Sequence, residues 1–143
     1  MPGATVAVAA GDDTGRDLLL RIVERAGHEP VPITVSADDL GAVASSVPGL
    51  ALLDLDGEAP AVVAALRGHP DPIVASCRVV VLADGPAVGL RAWQAGADGF
   101  LARPFHHDRL IATLRDVLDR PEAGREPVRR AAATEYLGGR DAP

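Results

Sequence analysis

Carboxylates stand where three apolar segments of this sequence end. The segment TVAVAA is followed by two acids, LALLDL contains one and is followed by another, and VVVLA is followed by one. In order along the chain these acids are Asp12, Asp13, Asp54, Asp56 and Asp84. Carboxylate oxygens are preferred ligands of Mg²⁺, an ion that often works beside phosphoryl groups. The residue types therefore favour a magnesium and phosphoryl site, provided that the fold brings the segments together.

The elements that would position these acids alternate along the chain. Short apolar runs bounded by Gly or Pro predict buried strands, and apolar residues three and four apart predict helices. Five strands are predicted in TVAVAA, EPVPITV, LALLDL, CRVVVLADG and DGFLARP, each followed by a helix. The central strands are apolar throughout, so both of their faces must be covered. The sequence predicts an α/β fold with a doubly wound, five-stranded parallel sheet.

Two segments of lower regularity complete the prediction. SADDL has Ser36 three residues before Asp39, which favours a helix that starts there and ends near Val47. Residues 1–120 are predicted to form one domain. Residues 121–143, PEAGREPVRRAAATEYLGGRDAP, are rich in Pro, Gly and charge and are expected to be a flexible tail, with one helical turn at 129–137.

The predicted sheet brings the acids to one edge. In an open parallel sheet, ligands bind beyond the carboxyl ends of the strands, where Arg103 also ends the fifth strand. Aspartate is also common as a helix cap or turn residue, without any chemical role. For Asp12 and Asp13 the sequence favours neither the structural interpretation nor the functional one. For Asp54 the functional interpretation is favoured, because its leucine neighbours predict a buried backbone.

Composition limits the classes of function. The chain has 143 residues and a net charge of -6, which suits a single core and disfavours a nucleic-acid surface. The single cysteine, Cys77, excludes an internal disulfide and a cysteine-cluster zinc site. No signal peptide and no apolar run of membrane length are recognised, so a cytoplasmic protein without membrane contact is expected.

From about Ala4 to Arg120 the chain resembles the receiver domains of two-component response regulators. The resemblance is carried by DDTGRDLLLRIVERAGHEPV, LALLDL, VVVLA and AGADGFLARPF, of which the last is the most specific. It implies a (βα)5 flavodoxin-like fold that takes part in phosphorelay signalling. It also implies that Asp54 accepts a phosphoryl group from a histidine kinase, and that output passes through protein–protein contact.

The resemblance further implies a set of supporting residues. Mg²⁺ would be held by Asp12, Asp13, Asp54 and the backbone carbonyl of Asp56. Arg103 stands at the position of the family's lysine, which keeps the charge but changes its geometry.

Besides Arg103, three positions depart from the family pattern. Ala83 stands where the family has Ser or Thr and offers no hydroxyl to a phosphoryl oxygen. If Arg16 is aligned with the family's first-helix arginine, the acidic pair falls on Ala10 and Gly11, whereas a gap of one or two residues would restore Asp12 and Asp13 as the pair. Mg²⁺ binding is therefore expected to be weak or absent.

Three functions remain open at this stage. The first is a phosphoacceptor receiver, and the second is a degenerate receiver that acts only as an interaction or dimerisation module. The third is another flavodoxin-like ligand binder such as a cobalamin-binding domain, although that family's Asp-x-His-x-x-Gly motif lacks the histidine here, since Thr14 stands two residues after Asp12. No nucleophile–base pair is recognised, so an enzyme is not expected. A weak homodimer is expected through the predicted fourth helix, fifth strand and fifth helix, on a surface with Arg91, Trp93, Asp98 and Arg109.

Overall fold

A computed structural model of the chain describes the backbone of residues 3–141 and the side chains of residues 3–135. Five strands form one sheet: β1 Thr5–Ala10, β2 Glu29–Pro32, β3 Leu50–Asp54, β4 Arg78–Ala83 and β5 Gly99–Ala102. Every neighbouring pair is parallel, and the strand order is β2-β1-β3-β4-β5. The predicted parallel sheet is confirmed, with the proline-containing β2 at one edge, where a strand tolerates missing N–H groups.

Helices cover both faces of the sheet. They are α1 Asp13–Arg25, α2 Gly41–Ser46, α3 Ala59–Arg67, α4 Pro72–Ala75, α5 Ala87–Ala95, α6 His107–Asp119 and α7 Glu122–Asp141. β3 shows why both faces must be covered, since Leu52 packs in a cluster with residues of α1 and α6, and Leu53 packs with residues of α3. Both leucines are fully buried. No helix in the described part of the chain is long and apolar enough to cross a membrane.

The segment before α2 differs from the predicted helix. Ser36 and Asp39 form an antiparallel bridge, and the helix begins only at Gly41. The Asp39 side chain accepts a hydrogen bond from the Gly41 N–H at 3.1 Å, so Asp39 stabilises the turn before the helix rather than the first turn of a longer one. α4 was not predicted, because four residues are too few to show a helical period.

The segment expected to be a flexible tail is helical in the structure. α7 spans Glu122–Asp141 and packs against α5. Its composition suggested a tail because it carries few large apolar residues. A polar contact holds α7 on the domain instead, since Arg125 is only 4% exposed and binds the buried Asp98. The boundary at residue 120 therefore separates two consecutive helices, and residues 142 and 143 lie outside the described residues.

Candidate functional site

Asp54 lies at the carboxyl edge of the sheet, as the sequence predicts. It is the last residue of β3, and its side chain is 12% exposed. Its register partner on β1 is Ala10, and the next residue, Gly11, donates its N–H to the Asp54 carbonyl at 3.2 Å. Neighbours in register on parallel strands present their side chains to the same face. The position beside Asp54 is therefore filled by a methyl group and not by a second carboxylate.

Arg103 provides the positive charge of the site. It directly follows β5, and its N–H donates to the Ala83 carbonyl at 2.8 Å, which extends the ladder between β4 and β5. One guanidinium nitrogen, Nη2, donates to Asp54 Oδ2, and the other, Nη1, donates to Asp84 Oδ1 at 3.2 Å. The hydrogen bond to Asp54 raises the pKa of Arg103 above its ordinary value, so the cation is permanent. Arg103 thus joins the ends of three adjacent strands.

The two acids after β1 belong to the start of α1. Asp12 is the N-cap, and its Oδ1 accepts a hydrogen bond from the Gly15 N–H at 2.6 Å. Asp13 is 87% exposed and pairs with Arg16 at 2.8 Å. Both carboxylates are therefore engaged in local contacts of the kind that the structural interpretation predicts.

Asp56 begins a 3₁₀ turn that spans Asp56–Glu58. Its carbonyl, the group that the resemblance assigns to Mg²⁺, accepts a hydrogen bond from the Ala59 N–H that closes the turn. The Asp56 side chain is exposed and its φ is 52°, a left-handed conformation that aspartate tolerates better than most residues.

The residues present do not fit a magnesium ion in this arrangement. Within the described part of the chain, no three or more His, Cys, Asp or Glu side chains are placed to hold a metal. The Asp54 carboxylate is bound by Arg103, a cation that supplies no lone pair. Ala83, buried at the end of β4, adds no hydroxyl oxygen. Charge neutralisation at this edge comes from a guanidinium.

A second polar centre was not predicted from the sequence. Asp98, in the turn before β5, is completely buried, which corrects its expected place on a dimer surface. Its carboxylate accepts hydrogen bonds from the Val79 N–H and from three arginines, namely Arg67, Arg125 and Arg129, all at 2.8–3.0 Å. Burial alone would raise the pKa of Asp98, but the hydrogen bonds from Arg125 and Val79 and the arginine charges hold it below its ordinary value. The sequence feature that could have indicated this centre is the four-residue spacing of Arg125 and Arg129.

The fold can be compared with that of known proteins. No protein-family model and no curated protein sequence matches the chain. The signal receiver domain of NarL from Mycobacterium tuberculosis is similar in structure, with a TM-score of 0.70 and 22% identity over 85% of this chain and 100% of that one.

Two further solved structures give the same result. A two-component response regulator of the LuxR family from Aurantimonas sp. SI85-9A1 has a TM-score of 0.73 and 20% identity, covering 94% of this chain and 98% of that one. The chemotaxis response regulator CheY4 of Vibrio cholerae has a TM-score of 0.67 and 20% identity, covering 80% and 98%. The chain has the receiver-domain fold. The predicted flavodoxin-like architecture is confirmed, and the receiver fold includes the edge at which Asp54 lies.

Proposed function

We propose that this receiver-fold chain is a signalling module that works through contact with another protein, with its Asp54 site closed by an internal cation. The observation that carries the proposal is the position of Arg103, whose guanidinium joins Asp54 to Asp84. A histidine kinase or another signalling protein is the partner that the receiver fold favours. In this proposal the contacts of Arg103 hold the carboxyl edge of the sheet in one conformation without a phosphoryl group on Asp54.

The pairing of β1 with β3 supports the proposal. Ala10 stands beside Asp54, and Asp12 is held by the Gly15 N–H at the start of α1. Mg²⁺ binds through carboxylates, carbonyls and waters, whereas here an alanine and a guanidinium flank Asp54. A receiver that closes its site in this way corresponds to the degenerate receiver among the functions left open by the sequence.

A second candidate function is phosphoryl acceptance by Asp54. It is favoured by the position of this carboxylate, which ends β3 and keeps 12% of its side-chain surface accessible. In that reaction an Asp54 oxygen would attack the phosphorus of the donor, and the donor would leave with the electron pair of the broken bond. Arg103 would first have to release Asp54, after which its charge could contact the phosphoryl oxygens. The reaction would therefore be slow.

One experiment separates the two functions. The wild-type chain and the Asp54→Asn variant are incubated with a small acyl phosphate, with and without millimolar Mg²⁺, and their intact masses are compared. A receiver domain of ordinary phosphoacceptor activity is treated in the same way as the positive control. The closed-site proposal expects no added mass while the control protein is labelled, because Asp54 stays bound to Arg103.

The opposite outcome is equally defined. One added phosphoryl group on the wild type, absent in Asp54→Asn, would establish the second candidate and overturn the closed site. The dependence of that labelling on Mg²⁺ would then decide whether Asp12, Asp13, Asp54 and the Asp56 carbonyl assemble into an ion site after Arg103 moves.

A further inference from the structure

α7 is held on the domain by polar contacts that converge on Asp98. Arg125 donates from Nε to Asp98 Oδ1 at 2.8 Å and from Nη2 to Oδ2 at 3.0 Å, and its Nη1 donates to the Ser76 carbonyl at 2.9 Å. Arg129 donates from Nη2 to Asp98 Oδ1 at 3.0 Å and from Nε to the Ala97 carbonyl at 3.2 Å. Two side chains of one helix therefore fill one cluster of acceptors.

Among the described side chains of α7, residues 122–135, the apolar contribution is small by comparison. Among the residues of α7 whose side chains are described, Arg125 is the only one that is buried. The half-buried positions Val128, Ala132 and Ala133 follow a helical period and face the domain, but two of them are alanines. In the part of α7 whose side chains are described, the arginines make the buried contacts with the domain, more than an apolar stripe does.

The acceptors belong to the domain and would remain if α7 were absent. They are the Asp98 carboxylate and the carbonyls of Ser76 and Ala97, which lie in turns before β4 and β5. Arg67 of α3 binds Asp98 Oδ2 at 3.0 Å and offsets part of its charge. Side chains four residues apart lie on the same face of a helix. The spacing of Arg125 and Arg129 therefore lets one helix reach the Asp98 carboxylate together with the carbonyls of Ser76 and Ala97.

We propose that these acceptors form a binding site for a helical segment that carries two arginines four residues apart. α7 occupies the site within the chain, and a partner protein with the same pair binds there by displacing α7. This inference goes beyond the proposed function, since it assigns a site at the amino end of β5, whereas Asp54 lies at the carboxyl edge of the sheet, and it does not depend on whether Asp54 is modified.

The exchange is physically reasonable because neither state leaves an uncompensated buried charge. When α7 leaves, Asp98 keeps Arg67 and the Val79 N–H and regains access to water, and the released guanidinium groups are hydrated. A groove of about 350 Å³ already separates part of α7 from the end of α5, and Trp93 lies in its wall. Trp93 is the single tryptophan of the chain and therefore reports on the docking of α7.

The test uses the full chain with its own helix weakened. In the variant Arg125→Gln/Arg129→Gln the two arginines no longer compete, and a fluorescent peptide with the sequence of residues 121–141 is titrated into it. Fluorescence anisotropy is expected to show binding to this variant at least about tenfold tighter than to the wild type, since a site free for less than about a tenth of the time weakens apparent affinity by that factor.

Matched controls make the result specific. Arg130→Gln changes an arginine that is 75% exposed and pairs only with Glu126 among the described residues, so it should bind the peptide as weakly as the wild type does. The same peptide with glutamine at both arginine positions should not bind the double variant. Equal binding of the two peptides, or no binding to a double variant with native circular dichroism, would overturn the proposal.

A second measurement covers a double variant that does not fold. Arg129→Gln alone leaves the buried Arg125 in place, and α7 should then exchange its amide hydrogens faster than in the wild type, while α6 is unchanged. Unchanged exchange in α7 of a folded Arg129→Gln chain would equally contradict the proposed site.

Discussion

Arg125 donates two parallel hydrogen bonds to Asp98, from Nε to Oδ1 at 2.8 Å and from Nη2 to Oδ2 at 3.0 Å. This bidentate geometry is the strong form of an arginine–carboxylate pair. It joins the C-terminal helix to the turn before β5 although the two residues are 27 positions apart. α7 is therefore attached to the domain by buried ion pairs from Arg125 and Arg129 to Asp98, with few apolar contacts among its described side chains.

Removing the Asp98 charge should release α7. In Asp98→Asn the guanidinium groups of Arg67 and Arg125 lose their shared counter-charge in a buried place. Breaking a buried pair costs roughly 3–5 kcal/mol, and undocking of α7 returns part of this by hydrating Arg125. Trypsin should then cut within α7 well before it cuts residues 5–120, and the urea midpoint should fall.

The control for this variant is Asp108→Asn. Asp108 is 86% exposed, so the change should leave both the digestion pattern and the urea midpoint close to those of the wild type. If Asp98→Asn resists trypsin as well as the wild type does, α7 is held by contacts other than the ion pair.

Acid should undock α7 in a defined range. The pKa of Asp98 is held below its ordinary value, which is about 3.9 in an unfolded chain. A lowered carboxyl pKa stabilises the folded form fully above the unfolded pKa and loses that contribution as the pH falls toward the folded pKa. Trp93 fluorescence should therefore be constant from neutral pH to about pH 5 and should change below about pH 4.

Asp98→Asn provides the comparison for the acid titration, since it has no carboxyl group at this position. Its fluorescence should already match the undocked state at neutral pH and should lack the transition below pH 4. A transition of equal size in both proteins would assign the acid effect to other carboxyl groups.

Replacing the guanidinium group of Arg103 by an ammonium group should make the Asp54 carboxylate accessible to a phosphodonor. A lysine ammonium is a single point charge and does not span Asp54 and Asp84 as the guanidinium does. A hydrogen bond to a charged group contributes about 1.5–3 kcal/mol, so its loss corresponds to roughly tenfold or more in access to Asp54. Arg103→Lys should therefore be labelled by an acyl phosphate faster than the wild type, as followed by intact mass.

The double variant Asp54→Asn/Arg103→Lys identifies the labelled residue, because it should stay unmodified. Labelling of Arg103→Lys at the wild-type rate would mean that Arg103 does not limit access to Asp54.

Replacing Val47 by asparagine should raise the free energy of unfolding of the protein. It follows α2 with φ 43° and ψ 58°, the left-handed region that a β-branched side chain disfavours. Its side chain is 59% exposed, so little apolar burial is lost in Val47→Asn. Relief of left-handed strain is worth about 1 kcal/mol, and the urea midpoint should rise. Val88→Asn, in helical conformation on α5, serves as the contrast and should not raise it.

Much of the receiver fold could be predicted because its signals are local. Apolar runs of strand length such as VVVLA, with Gly96 ending α5 at φ 113°, specify the strands and the helix ends without reference to distant residues. The same reasoning places Asp54 at the carboxyl edge, since β3 ends on it. The short helix α2 was placed too early because the turn formed by Ser36 and Asp39 has the same residues as a helix cap.

The sequence by itself determined the parallel sheet, the position of Asp54 and the presence of a cation at Arg103, because the apolar period and the alternation of strands and helices along the chain are properties of neighbouring residues. Only the tertiary structure decided which groups meet. Ala10 rather than an acid stands beside Asp54 because of the register between β1 and β3, and Arg103 reaches Asp84 because β4 and β5 are neighbours. α7 docks through Arg125 and Asp98, a pair whose strength comes from burial, and burial depends on the whole fold rather than on the composition of a segment.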